Sequence, residues 1–203
     1  MLPLPPVTRA LLLINVGVFC LQLILGGLLE QVFALWPLDS GRFWPWQVFT
    51  YAFLHDTSGF GHLFFNMLGL WMFGGELELT WGRRRFLQFY AASVLSAALV
   101  QMLVPFVTGS SHVTLGASGG LYGLLLGYAM VFPHRTIMPL FPPIPMKAAT
   151  YVAIFGAIEL LSGVTGTNMG VAHFAHLGGM LGGFLMIRYW QGRPPFGSGR
   201  RRR

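Results

Sequence analysis

Five polar side chains lie near one end of long apolar runs of this chain: His62, Asn66, Ser118, His173 and His176. A serine hydroxyl is a weak nucleophile until a neighbouring base takes its proton, and imidazole can do so near neutral pH. Ser118 would attack an acyl carbon, and His176 would accept the hydroxyl proton and later return it to the leaving group. The tetrahedral oxyanion then needs hydrogen-bond donors. His62 and Asn66, at i and i+4, share a helix face, and the Ser118 backbone N–H at a helix start adds another donor. Gly116 and Gly119 beside the serine leave room for a substrate backbone. Tyr122, four residues on, shares the face of Ser118.

The elements that must position these groups are apolar runs of about 20 residues, the length that crosses a bilayer core. Spans are expected at about 9–29, 60–79, 86–107, 115–132, 147–164 and 170–190. Residues 1–192 then form one all-α membrane domain, a six-transmembrane-helix bundle, and residues 193–203 a basic cytoplasmic tail. The chain is 54% hydrophobic and only 9% charged, with a mean hydropathy of +0.62, whereas a soluble domain carries about a quarter charged residues. A chain of 203 residues has too much surface for its volume to hide that apolar content from water. The apolar stretch after Arg9 lacks a small-x-small cleavage site and reads as a retained span. Cys20, the single cysteine, has no partner for an intrachain disulfide.

Between the first two spans, Phe33 to Phe53 carries Trp36, Pro37, Trp44, Pro45 and Trp46, too interrupted for a span and suited to the headgroup layer. Pro133 to Pro145 contains five prolines and is a connection. Of the 13 Lys and Arg, all but Arg42 fall on the side of the termini. Such residues collect in the cytoplasm, so both termini are expected there. On this topology, Asn66, Ser118 and His176 sit roughly 5–9 Å below the outer ends of their helices. The fourth span carries Gly119, Gly123 and Gly127, and the sixth Gly179 and Gly183. Repeated small residues let two helices approach closely, which would bring hydroxyl and imidazole to one contact.

With these residues in view, the chain resembles the rhomboid intramembrane serine proteases over nearly its whole length. Gly116-Ala117-Ser118-Gly119 fits the family's GxSG, Ala175-His176 with Gly179 and Gly183 fits AHxxGxxxG, and His62 with Asn66 fits HxxxN. The resemblance implies Ser118 as nucleophile and His176 as general base with no carboxylate partner. It also implies His62 and Asn66 as oxyanion donors, Tyr122 packed on the His176 ring, and Gly116 shaping the loop before the serine. Substrates would be transmembrane proteins met in the lipid bilayer, in a bacterial inner membrane, with no cofactor, metal or nucleic acid. A buried third acid is not expected, because Asp56 is the only acid near the outer site. The family's Trp-Arg pair in the first loop is here Trp46-Gln47. His173 is a second possible base, with the Gly179/Gly183 register favouring His176, and His55 is assigned to the loop.

Three rival readings are weighed against this one. A metalloenzyme could use His55, His62, His173 and His176, but HExxH is absent and no Asp or Glu is expected beside these histidines inside a span. A non-catalytic relative that binds or routes membrane clients need not keep nucleophile, base and donors together. A transporter would call for an inverted repeat or a charged pair at the midplane, neither of which is visible. Glu159 is the only acid deep within a span, and no role is assigned to it.

Overall fold

The computed structural model describes residues 4–109, 111–140, 143–166 and 172–192. The expected tail at 193–203 and the first residues of the expected sixth span lie outside them. Helix α1 (Pro6–Leu25) begins on a proline, whose fixed φ suits a first helical position. It stops four residues before the expected end because Gly26 has φ 62°, which no helix can continue. After α2 (Leu28–Phe33), the first loop carries a short 3₁₀ turn (Leu38–Ser40), α3 (Gln47–Thr50) and a second 3₁₀ turn (Tyr51–Phe53). Helix α4 (Gly61–Gly69) runs through a π-helical turn (Leu70–Gly74) into α5 (Gly75–Trp81). Then follow α6 (Arg83–Thr108), α7 (Ser118–Val131), α8 (Ala148–Thr165) and α9 (His173–Trp190).

Among the described residues, α1, α6 and α8 are long and apolar enough to cross a membrane, and α7 is a shorter apolar helix. Their outer faces are oily: Ile24, Phe106, Val107 and Val164 are 76, 74, 86 and 72% exposed. Water would not tolerate such a surface, and lipid covers it at no cost. The chain is an integral membrane protein.

Two departures from the expected helices concern the ends of α7. It begins at Ser118, not near 115, because Gly116 has φ 122° and Thr114 is bridged to Leu35. Beyond α7, the proline-rich connection contains a two-residue antiparallel pair, β1 (Thr136–Ile137) with β2 (Met146–Lys147), a small addition to the all-α expectation.

Helices α6, α7 and α9 form the centre, and glycine sets their spacing. A Cβ at Gly179 on α9 would lie 1.8 Å from the Gly119 carbonyl oxygen on α7. One at Gly123 would lie 2.2 Å from Ser93 Oγ on α6, and one at Gly182 2.6 Å from the Ala92 carbonyl. Gly127 faces Phe89 and Trp81, not α9, so the glycine stripe of α7 serves α9 only in its first half. At the opposite end, Glu78 caps α1 by accepting from Val7 N–H at 3.0 Å, Thr8 N–H at 2.7 Å and the Thr8 hydroxyl at 2.9 Å. Glu76 pairs with Arg135 and accepts from the Tyr128 hydroxyl.

The first loop is held by one buried amide. Gln47 Oε1 accepts from Trp36 N–H at 3.3 Å and Trp44 N–H at 3.2 Å, while Nε2 donates to the Val32 and Arg42 carbonyls, both at 3.1 Å. Its full hydrogen-bonding capacity goes into closing the loop, in the position where the resemblance calls for arginine. Gln22 on α1 joins loop to bundle by exchanging two 2.9 Å bonds with the His55 backbone.

Candidate active site

Residues 113–116 reach α7 as extended chain pinned to the first loop. Leu35 and Thr114 exchange backbone bonds of 2.9 and 3.0 Å, and Gly116 N–H donates to the Tyr51 carbonyl at 3.0 Å. Tyr51 is itself fixed by its hydroxyl, which donates to the Val94 carbonyl on α6 at 2.9 Å. Gly116 cannot be replaced cheaply: beyond its left-handed φ, a Cβ would lie 2.8 Å from His62 Cε1 and 2.9 Å from Nε2. The absent side chain is the space that the His62 ring occupies.

Ser118 is the first residue of α7, so its N–H and those just after it have no intrahelical partner. Its Oγ lies 2.8 Å from His176 Nε2 on α9. The contact of Gly119 with Gly179, adjacent to the serine and one turn beyond the histidine, is what permits that distance. The Tyr122 ring stacks on the His176 imidazole, with centroids 4.2 Å apart and planes 7° from parallel.

His62 Nδ1 accepts from Asp56 N–H at 3.1 Å. A neutral imidazole that accepts at Nδ1 carries its proton on Nε2, the nitrogen facing Gly116, so His62 presents a donor beside the serine loop. A cavity of about 310 Å³ is lined by Asp56, His62, Val113, Thr114, Leu115, Ser118, Ala172 and His176. Asp56 sits at its rim, its carboxyl held below the usual carboxylate range by the Ser58 N–H that it accepts at 2.9 Å.

Asn66 is not brought to this cavity. Its Nδ2 donates to the His62 carbonyl at 2.7 Å, the bond back along its own helix that a short polar side chain readily makes. His55 lies in the loop, fully buried, its ring centroid 5.3 Å from that of His62.

The expectation of no carboxylate beside the histidine does not hold. Glu159, from the middle of α8, is 6% exposed; its Oε2 lies 2.6 Å from His173 Nδ1 and 2.9 Å from His176 Nδ1. Its Oε1 accepts from the Tyr122 hydroxyl. The 2.9 Å contact is not aligned as a hydrogen bond. An acid also stands where a metal centre would need one, since the ligand atoms of Glu159, His173 and His176 lie within 4.8 Å of one another. Their 2.6 Å approach is, however, that of a pair sharing a proton; ligands around a zinc ion at about 2.0 Å stand farther apart. The signals for this cluster are His173 and His176, three apart on one face, and the sole acid deep within a span.

The sequence model of one family, described as the Rhomboid domain, matches residues 42–192. The chain is 29% identical over 183 residues to a Klebsiella pneumoniae protein named Rhomboid protease GlpG, covering 89% of this chain and 62% of that one. It is 34% identical over 137 residues to Rhomboid protein 1, mitochondrial, of Saccharomyces cerevisiae, covering 66% of this chain and 38% of the other. A Yersinia pestis protein also named Rhomboid protease GlpG is 24% identical over 190 residues, covering 93% of this chain and 63% of its own length. The chain thus spans less than two thirds of the length of each of these relatives.

Proposed function

The chain belongs to the rhomboid family, and on that premise we propose that it is an intramembrane serine protease cutting peptide bonds in or near transmembrane segments of other membrane proteins. The observation that carries the reading is the 2.8 Å contact of Ser118 Oγ with His176 Nε2 on the wall of a cavity.

Ser118 Oγ attacks the scissile carbonyl as its proton passes to His176 Nε2. The oxyanion is met by His62 Nε2–H and by the unpaired N–H of Ser118 at the start of α7. Collapse expels the amine with the proton returned by His176, and water from the cavity, activated by the same imidazole, releases the acyl group. Asn66 stands outside the lining of the cavity, with one of its two amide hydrogens donated to the His62 carbonyl, so it is given no direct contact with the oxyanion.

Six crossings, formed by α1, α4 with α5, α6, α7, α8 and α9, suit this chemistry. Helix α7, with 14 residues, is about 21 Å long against a core of about 30 Å, so its start lies below the outer surface if its end reaches the inner one. Lys and Arg fall by the ends joined near Gly82 and between α7 and α8, which supports cytoplasmic termini, and likeness to bacterial proteins named GlpG supports a bacterial inner membrane. An apolar groove of about 470 Å³, with Phe65, Met72, Leu121, Tyr122, Tyr151 and Phe155 in its wall, is a lateral approach for a substrate helix. That helix must unwind locally before the serine can reach its carbonyl, because helical hydrogen bonds shield the backbone.

A fluorophosphonate probe, followed by mass mapping of the adduct, tests the assignment. The label is expected on Ser118 and to be lost in folded His176→Ala. A folded protein that leaves Ser118 unlabelled would point to the rival reading, a rhomboid-like protein that binds clients without cutting them.

A further inference from the structure

A carboxylate inside a membrane bundle is costly unless its charge is met, and Glu159 is met by three groups. The Tyr122 hydroxyl donates to Oε1, His173 Nδ1 lies 2.6 Å from Oε2, and His176 Nδ1 lies 2.9 Å from the same oxygen. An ionised carboxylate only accepts, so His173 carries its proton on Nδ1. His176 is constrained from its other side. For Nε2 to take the proton of Ser118 it must hold a lone pair, which places the resting proton on Nδ1. That Nδ1 is buried and makes no aligned hydrogen bond; the polar atom it meets is Glu159 Oε2.

We infer that Glu159 is a positioning residue which makes this site a Ser118–His176–Glu159 triad, with Tyr122 and His173 holding the carboxylate in place. This rests on the protease reading above. The carboxylate selects the Nδ1–H tautomer of His176, so that Nε2 accepts from Ser118. When Ser118 Oγ bonds to the substrate carbonyl carbon, its proton moves to Nε2 and the resulting imidazolium faces Oε2. Glu159 stabilises that cation without taking its proton. Contacts of this kind often align only in the loaded site, and a small rotation of the imidazole closes the 2.9 Å approach into a bond. Tyr122 couples the two functions, since its ring supports one face of His176 while its hydroxyl holds the acid.

The test compares wild type, Glu159→Gln and Glu159→Asp in detergent, with kcat and KM measured on a model transmembrane substrate and the His176 tautomer read by ¹⁵N NMR. Glu159→Gln keeps the shape but offers an amide N–H to Nδ1, which favours the opposite tautomer. The expected result is a kcat lower by about 100-fold or more, KM within about twofold, His176 moved toward Nε2–H, and partial recovery of kcat in Glu159→Asp. A kcat within about threefold of wild type for Glu159→Gln, with Ser118→Ala inactive, overturns the triad and leaves the protease reading standing. Cleavage that survives in Ser118→Ala overturns the protease reading itself. A loss in Glu159→Gln with unchanged tautomer, no better in Glu159→Asp, makes Glu159 merely structural and also overturns the inference. Should Glu159→Gln not fold, Tyr122→Phe decides, because it keeps the stacked ring and removes one anchor of the carboxylate: lowered kcat at unchanged KM supports the triad, and wild-type kcat overturns it.

Discussion

Replacing Gly179 with alanine joins helix packing directly to chemistry. The added Cβ would stand 1.8 Å from the Gly119 carbonyl oxygen, where a carbon and a carbonyl oxygen rest at about 3.3 Å or more. Backbone stands on both sides, so no side chain can swing away, and α7 and α9 must part by about 1.5 Å at this level. Ser118 neighbours Gly119, and His176 lies one turn before Gly179. Most of that displacement therefore enters the Oγ to Nε2 distance, taking it from 2.8 Å to about 4 Å, outside hydrogen-bonding range. Overpacking should cost about 1–3 kcal/mol of stability, and a misplacement of this size about 100-fold in kcat. Cleavage of a model substrate in detergent, with thermal unfolding on the same preparation, measures both. Gly17→Ala is the control, because nothing lies within 4 Å of a Cβ there and a helical glycine gains stability from the change. A folded Gly179→Ala enzyme that cleaves at the wild-type rate would refute the claim that this glycine contact sets the approach of serine to histidine.

Other substitutions probe separate parts of the site. His62→Ala removes the proposed oxyanion donor and should lower kcat by about 100-fold with little change in KM, measured on the same substrate. Gln47→Ala strips the Trp36 and Trp44 N–H groups and the Arg42 carbonyl of their partner and should cost about 3 kcal/mol at about 1 kcal/mol for each net bond, read from thermal unfolding. The pH dependence of stability should carry a His55 contribution: burial first, then the neighbouring His62, pushes its pKa down from 6.5 to about 4. Unfolded His55 gains a proton near 6.5 while folded His55 stays neutral until about 4, so the unfolded state binds more protons and stability falls by about 3 kcal/mol as pH drops across that window. Unfolding measured at pH 7 and at pH 4.5 should show a smaller difference in His55→Leu than in wild type.

The meeting of Ser118 and His176 was legible because it depends on a feature that sequence carries: Gly119 and Gly179 mark where two backbones touch. The start of α7 was misjudged by three residues because hydropathy does not register that Gly116 takes a φ closed to a helix. Asn66 shared a face with His62 as expected, but a face does not say whether an amide turns outward or back to a carbonyl four residues behind. Glu159 was the largest omission. Helix α8 has only Gly156 and Gly163, seven residues apart and packed on Met180 and Phe174 of α9, which form no stripe readable in the sequence, so only the assembled bundle sets which side of it faces His176. Gln47 read as a lost arginine, yet its amide meets four backbone groups that lie near one another only once the loop has closed.

The central claim is tested most directly by reconstituting wild type, Ser118→Ala and His176→Ala in liposomes with a model transmembrane substrate and measuring initial cleavage rates. Cleavage within the substrate's membrane segment by wild type, and its loss in both folded variants, is the outcome expected from a hydroxyl activated by the imidazole 2.8 Å away. Undiminished cleavage by Ser118→Ala would contradict it.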